Sequence, residues 1–226
     1  MSAFLATIVT LGGIAAFESM MHGAWTLSTE FLLITVLACI AAPHTLDLGH
    51  QARIATLHPF LIAAIVLFGI REAMLVAAIS MSYYWIVSRP RMAPTKALLS
   101  FCNHVLAVWI AGHVYYMTGG RTGDVTSPAS LGALLYALLT FFFINTGLNS
   151  ATVGLDQRVN PFRVWYEKYS WTLNSYLVGG SVVILVGMLW DRLGVQGLFL
   201  ILPVCLLLYH FYKAFYVRAS HRAHRT

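Results

Sequence analysis

Apolar positions along this chain gather into long runs instead of alternating with polar ones. The runs place helical spans near residues 3–17, 28–43, 57–70, 72–88, 97–118, 129–152, 173–190 and 195–215. Several approach or exceed the roughly 18 residues that let a helix cross a lipid bilayer. The pattern predicts an all-α fold, a polytopic membrane helix bundle of about eight spans (six to eight).

The stretch 60–87, FLIAAIVLFGIREAMLVAAISMSYYWIV, carries the charged pair Arg71 and Glu72 near its middle. A single helix over 57–88 would be about 48 Å long, against a hydrocarbon core of about 30 Å. Both charges would then sit at mid-bilayer, at a cost of at least about 2.5 kcal/mol each. A break at Gly69 moves them to an interface where they can be hydrated. A short helical hairpin at 57–88 is therefore expected, its short halves sheltered by packing inside the bundle or by local thinning of the bilayer.

Composition sharpens this picture. The chain has 226 residues, 59% hydrophobic and 10% charged, where a soluble domain carries about 25% charged residues. This leaves almost nothing for a soluble domain, so residues 1–215 are expected to form a single integral membrane domain and 216–226 a basic cytoplasmic tail. The opening MSAFLATIVTLGGIAAFES lacks the basic n-region and cleavage site of a signal peptide and reads as a retained first helix. Cys39, Cys102 and Cys205 all fall in apolar runs and show no CxxC spacing, which suits small buried hydrophobes.

Charge asymmetry orients the bundle. A cytoplasmic C-terminus puts Arg53, Arg89, Arg91, Lys96, Arg158, Arg163, Lys168, Lys213, Arg218, Arg222 and Arg225 on the cytoplasmic side. Arg71, Arg121 and Arg192 remain on the other, a clear positive-inside bias. Moving to seven spans would transfer only Arg53, so the hairpin rests on the length of the run alone. In PFRVWYEKYSW, residues 161–171, Phe162, Trp165, Tyr166 and Tyr169 recur at helical spacing with Arg163, Glu167 and Lys168 elsewhere on the wheel. This fits a helix lying flat at the interface, or an aromatic-belt entry to the next span.

The order of segments, HPFLIAAIVLFG, a basic turn, AGHVYYMTGG, FFFINTG, VWYEKYSW and YHFYKAFY, resembles the multi-span membrane sensor domain found ahead of HD-GYP phosphodiesterase and GGDEF cyclase domains in bacterial signalling proteins. The span–Gly–span hairpin is also similar to the S components of vitamin transporters. The first resemblance covers roughly 45–215 and implies a multi-pass protein of the bacterial inner membrane, its C-terminus cytoplasmic. In such proteins the last helix continues into a catalytic effector. Here the sequence ends at YVRASHRAHRT, and the expectation is a sensing unit without its own output domain.

Asn145, Asn149 and Thr152 form a polar stripe down one span. Amides in hydrocarbon must find partners, so the stripe faces a ligand pocket or other helices. Asn103, His104, Asn174 and Ser175 can join the same interior, and Ser175 with Gly179 forms a small-xxx-small pair. His104 and His113 project to opposite sides of one helix, so a bis-His haem would need partners such as His58 with His104; no cofactor is expected. His44, Asp47 and His50 in HTLDLGH are metal-capable but suit a solvated loop, and no metal site is expected. Glu18, Glu30 and Glu72 with Arg71 are candidates for an outward-facing cluster. GGRTGD at 119–124 reads as a turn.

Arg163, Lys168, Lys213, Arg218, Arg222 and Arg225 are the candidates for lipid headgroup contact, and nucleic acid is not an expected partner. No catalytic motif is present. The sequence therefore predicts a non-enzymatic sensor or scaffold that binds a small or lipidic ligand or a membrane or cytoplasmic partner protein, as an accessory subunit of a membrane complex would. The alternative is a small solute transporter component.

Overall fold

The computed structural model describes residues 2–21, 28–43, 45–47, 53–88, 93–194 and 196. Apart from Gln196, the expected last span lies outside the described residues, as do Cys205 and the basic tail with Lys213, Arg218, Arg222 and Arg225. Eight helices are described: α1 (Ser2–Met21), α2 (Thr29–Ala41), α3 (His58–Leu67), α4 (Ile70–Ser88), α5 (Pro94–Met117), α6 (Pro128–Gln157), α7 (Pro161–Lys168) and α8 (Leu173–Leu193). A small antiparallel ribbon, β1 (Thr45–Asp47) with β2 (Arg53–Ala55), joins α2 to α3, with Leu46 opposite Ile54. Four helices, α4, α5, α6 and the one over 170–190, are long and apolar enough to cross a membrane. The apolar stretches of α1, α2 and α3 are shorter, so the expected count of about eight spans is met by length in only part.

The break expected at Gly69 is present. Phe68 and Gly69 both donate their N–H back to Ala64 O, at 3.0 and 3.2 Å, closing α3. Gly69 then takes φ +114°, a conformation that costs a residue without Cβ little, and α4 starts at the next residue. The chain doubles back here. Ile70 lies against Gly112, so close that a Cβ there would come within 2.7 Å of Ile70 Cγ1. Farther along, Met81 Sδ accepts from Ser100 Oγ at 3.7 Å, so α4 runs antiparallel to α5. In the opposite direction, α3 starts with His58 against Ser175 and Tyr176 and leads to Phe68 against Trp190. The hairpin is real.

Its first arm differs from expectation. The span foreseen over 57–70 is a helix of 10 residues, about 15 Å long, because Phe68 and Gly69 are taken up by the turn. His58 and Leu61 through Leu67 are all buried, enclosed by α2, α4, α5, α6 and α8. The shortest apolar helix is thus walled by protein.

A helix that ends inside a bundle leaves its last carbonyls without partners. Here the end of α5 and the 118–127 loop supply them. Tyr116 Oη donates to Ile65 O at 3.1 Å and Gly123 N to Val66 O at 2.8 Å. The fully buried Tyr115 braces the loop by donating to Arg121 O and Asp124 O, at 3.0 and 3.2 Å. Gly120 passes so close that a Cβ would meet the Tyr115 ring at 2.5 Å. Asp124 then accepts from the N–H groups of Thr126 and Ser127, both at 3.0 Å, and from the hydroxyls of Ser127 and Ser130 at 2.5 and 3.0 Å. Those donors hold its carboxyl well below the usual carboxylate range, led by the Ser127 hydroxyl. The turn read in GGRTGD is a cap for α3 as well.

Of the expected outward-facing cluster, Arg71 and Glu72 pair at 3.1 Å at this same end of the bundle, with Glu72 only 4% exposed. Glu30 opens α2, and Glu18 lies exposed on α1. At the other end α7 forms as foreseen. Asn160 caps it by accepting from Phe162 N at 2.9 Å, and Trp165 Nε1 donates to Thr146 Oγ1 at 3.0 Å, pinning it to α6. Phe162 and Tyr166 project outward, and Arg163 pairs with Glu167 at 2.7 Å. Such a face suits a lipid interface.

Candidate functional site: an amide network in the bundle interior

Asn103 on α5 and Asn145 on α6 face each other because the two helices run antiparallel and pack along their length. Asn103 Nδ2 donates twice, to Asn145 Oδ1 at 2.9 Å and to the backbone carbonyl of Asn145 at 3.1 Å. The second bond fixes the polarity of the network. A backbone carbonyl only accepts, so the Asn103 atom beside it is the amide nitrogen and its oxygen points elsewhere. Asn145 must then offer Oδ1 to Asn103, which turns its own Nδ2 toward Tyr176 Oη on α8, at 2.9 Å. Asn149, one turn along α6, reaches the same Asn145 Oδ1 at 3.4 Å.

Around this chain of donors the walls are aromatic. The His58 ring stacks on Tyr176 with centroids 4.1 Å apart, and Phe142 meets Tyr176 edge-on at 5.1 Å. His58 Nε2 lies 3.2 Å from Ser175 O; a carbonyl accepts, so that nitrogen carries the proton. Gly179 and Gly180 allow this closeness. A Cβ on Gly179 would meet His58 Nε2 at 2.9 Å, and one on Gly180 would collide with Leu138 Cδ1. The small pair Ser175 and Gly179 therefore seats α3 on α8, as its spacing suggested.

One atom is left over. Asn103 Oδ1 is buried and has no hydrogen-bond partner among the described residues, in a side chain only 3% exposed. An acceptor stranded in this way costs about 1–3 kcal/mol. Tyr176 Oη accepts from Asn145, so its own proton points away from that amide. The network therefore ends in an open acceptor at Asn103 and a phenolic donor at Tyr176.

The remaining candidates fall outside it. His104 Nδ1 donates to Ser100 O at 2.8 Å and Thr152 Oγ1 to Leu148 O at 2.8 Å, each one turn back on its own helix. His113 does the same to Trp109 O at 2.8 Å. Asn174 is exposed, because it sits two positions from Tyr176 and so on the other side of α8. Among the described residues no group of three or more His, Cys, Asp or Glu is placed to hold a metal ion, and Cys102 is a buried free thiol. Tyr176 is the member that the sequence reading missed. Its hydroxyl gives no sign in the sequence that it faces an amide rather than a headgroup. Comparisons of the chain with protein-family models, curated proteins and solved structures gave no match.

Proposed function

We propose that this protein is a non-enzymatic, membrane-embedded binding module whose polar interior receives a small or lipid-like ligand and which works beside a partner protein. The single observation that supports it is Asn103 Oδ1, an acceptor held unpaired inside the bundle at the end of an ordered amide chain. A scaffold built only to glue helices gains nothing by leaving that oxygen bare. The apolar helices and the outward aromatics of α7 support a site within the bilayer, and the charge asymmetry supports an inner-membrane topology with the C-terminus in the cytoplasm. The test is native mass spectrometry of the full chain purified in mild detergent, beside Asn103→Leu. A small molecule or lipid retained by the wild type and lost from the variant is expected. A bare, monodisperse protein in both samples would contradict the proposal.

A transporter component is the second reading, favoured by α3. A half-length helix enclosed mostly by full-length ones, its end paired by the end of α5 and the loop after it, is how many carriers build a site between broken helices. Saturable uptake into proteoliposomes by the wild type, abolished in Asn145→Leu, is the expected result under this reading.

A further inference from the structure

The chemistry of the open acceptor narrows what the interior takes. We infer that the ligand is uncharged and presents a hydrogen-bond donor, an alcohol or N–H on an apolar body, to Asn103 Oδ1. This inference rests on the binding reading above and adds the ligand class to it.

The first support is polarity. The backbone carbonyl of Asn145 forces Asn103 to keep its nitrogen inward, 3.1 Å away. Rotating the Asn103 amide to offer a donor instead would set two carbonyl oxygens against each other there. The site is therefore locked as an acceptor, and only a donor satisfies it. The second support is charge. The side chains that build the network are Asn103, Asn145, Asn149 and Tyr176, with His58 stacked on the phenol. None is a carboxylate, lysine or arginine. A charged ligand buried here would have no counter-ion, and burying an unpaired charge is far costlier than burying an amide. The buried ion pair Arg71–Glu72 belongs to the other end of the bundle, beside Gly69. The third support is the wall. Phe141 and Phe142 pack against Tyr176 at 6.1 and 5.1 Å, so the surroundings of the network's phenol are apolar and aromatic and suit a hydrocarbon body.

Access is gated. Asn103 Oδ1 is sealed from solvent, so a ligand reaches it only as neighbouring contacts part. The longest bond in the network, Asn149 Nδ2 to Asn145 Oδ1 at 3.4 Å, comes from a half-buried residue.

Infrared spectroscopy of the full chain in lipid nanodiscs, with asparagine isotopically labelled at the side-chain carbonyl, reads this atom directly. The probes are octanol, its methyl ether and octanoate. The free protein is expected to show an unbonded amide carbonyl, absent from Asn103→Leu. Octanol should convert it saturably to the bonded form, while the ether and octanoate leave it unchanged. Octanol binding, read separately by thermal shift, should weaken about tenfold in Asn103→Leu. A free protein whose asparagine carbonyls are all bonded would overturn the inference, because water or protein already fills the position. Conversion by octanoate but not by octanol would overturn the ligand class yet leave the binding reading standing. No conversion by any probe would overturn the inference too, and only an empty native mass spectrum would take the broader proposal with it. The wild-type spectrum decides even where the variant fails to fold.

Discussion

The two ends of α3 solve the same problem in opposite ways. At its C-terminal end, the last backbone carbonyls of a helix enclosed by others are given partners. Tyr116 and Gly123 serve the carbonyls of Ile65 and Val66, Tyr115 holds the loop that brings Gly123 there, and Asp124 gathers donors behind it. Toward its N-terminal end, around His58 and Tyr176, the amides are equally ordered but the chain of bonds is left unfinished at Asn103. The open end is the more deeply buried, with Asn103, Asn145 and Tyr176 all buried where Tyr116, Gly123 and Asp124 are half-buried, so burial alone does not explain the contrast. The closed end carries the architecture, and the open end is the one to which the proposed function assigns a ligand.

Substitutions should separate the two ends in graded fashion. Gly120→Val is expected to be the most damaging, because the new Cβ meets the immobile Tyr115 ring at 2.5 Å. A loss of about 3 kcal/mol, seen as a large fall in the thermal midpoint in detergent, would match the upper end of overpacking costs. Gly120→Ala should shift the midpoint in the same direction by less.

Asp124→Asn comes next, since one side chain serves several donors at once. The sign of its pH dependence follows from its lowered folded-state pKa. Stability that the carboxylate contributes is fully present above its unfolded pKa of about 3.9 and is lost as the pH falls through the lower folded value. Thermal melts should therefore show the variant below the wild type at neutral pH, with the gap closing only under strong acid. A gap that narrows already between pH 7 and 5 would count against this role.

Tyr116→Phe removes one partner from Ile65 O, which keeps the Gly69 N–H at 3.2 Å. A cost of about 1 kcal/mol is expected in chemical unfolding. The least effect on stability belongs to Asn103→Leu. It removes bonds to Asn145 but also the stranded oxygen, and Asn145 Oδ1 retains Asn149. A change within about 0.5 kcal/mol, with loss of the bound molecule, would set the two ends apart. A loss as large as that of Gly120→Val would make Asn103 an architectural residue and erase the contrast.

Length and charge were enough to find the turn. Arg71 and Glu72 in the middle of an overlong apolar run left Gly69 as the place to break it, and the backbone turns there. The i, i+4 spacing of Asn145 and Asn149 likewise put both on one face of α6. What helical spacing does not carry is the partner across the bundle. Nothing near Tyr116 signals that its hydroxyl serves a carbonyl 51 residues earlier in the chain. Asn174 looked as suitable as Asn103, yet the rotation of α8 turns it outward and brings in Tyr176. For the same reason the run 57–70 left two shelters open, packing inside the bundle or a thinned bilayer, since hydropathy does not distinguish hydrocarbon from the side of another helix.

The brevity of α3 bears on how this protein is assembled. Ten residues cannot bridge a bilayer unaided, and the groups that pair its final carbonyls belong to chain synthesised later. In a membrane, α3 would therefore take its place only after α5 and the loop beyond it have been inserted. Biogenesis would proceed out of sequence order, with an early segment waiting for a later one to receive it.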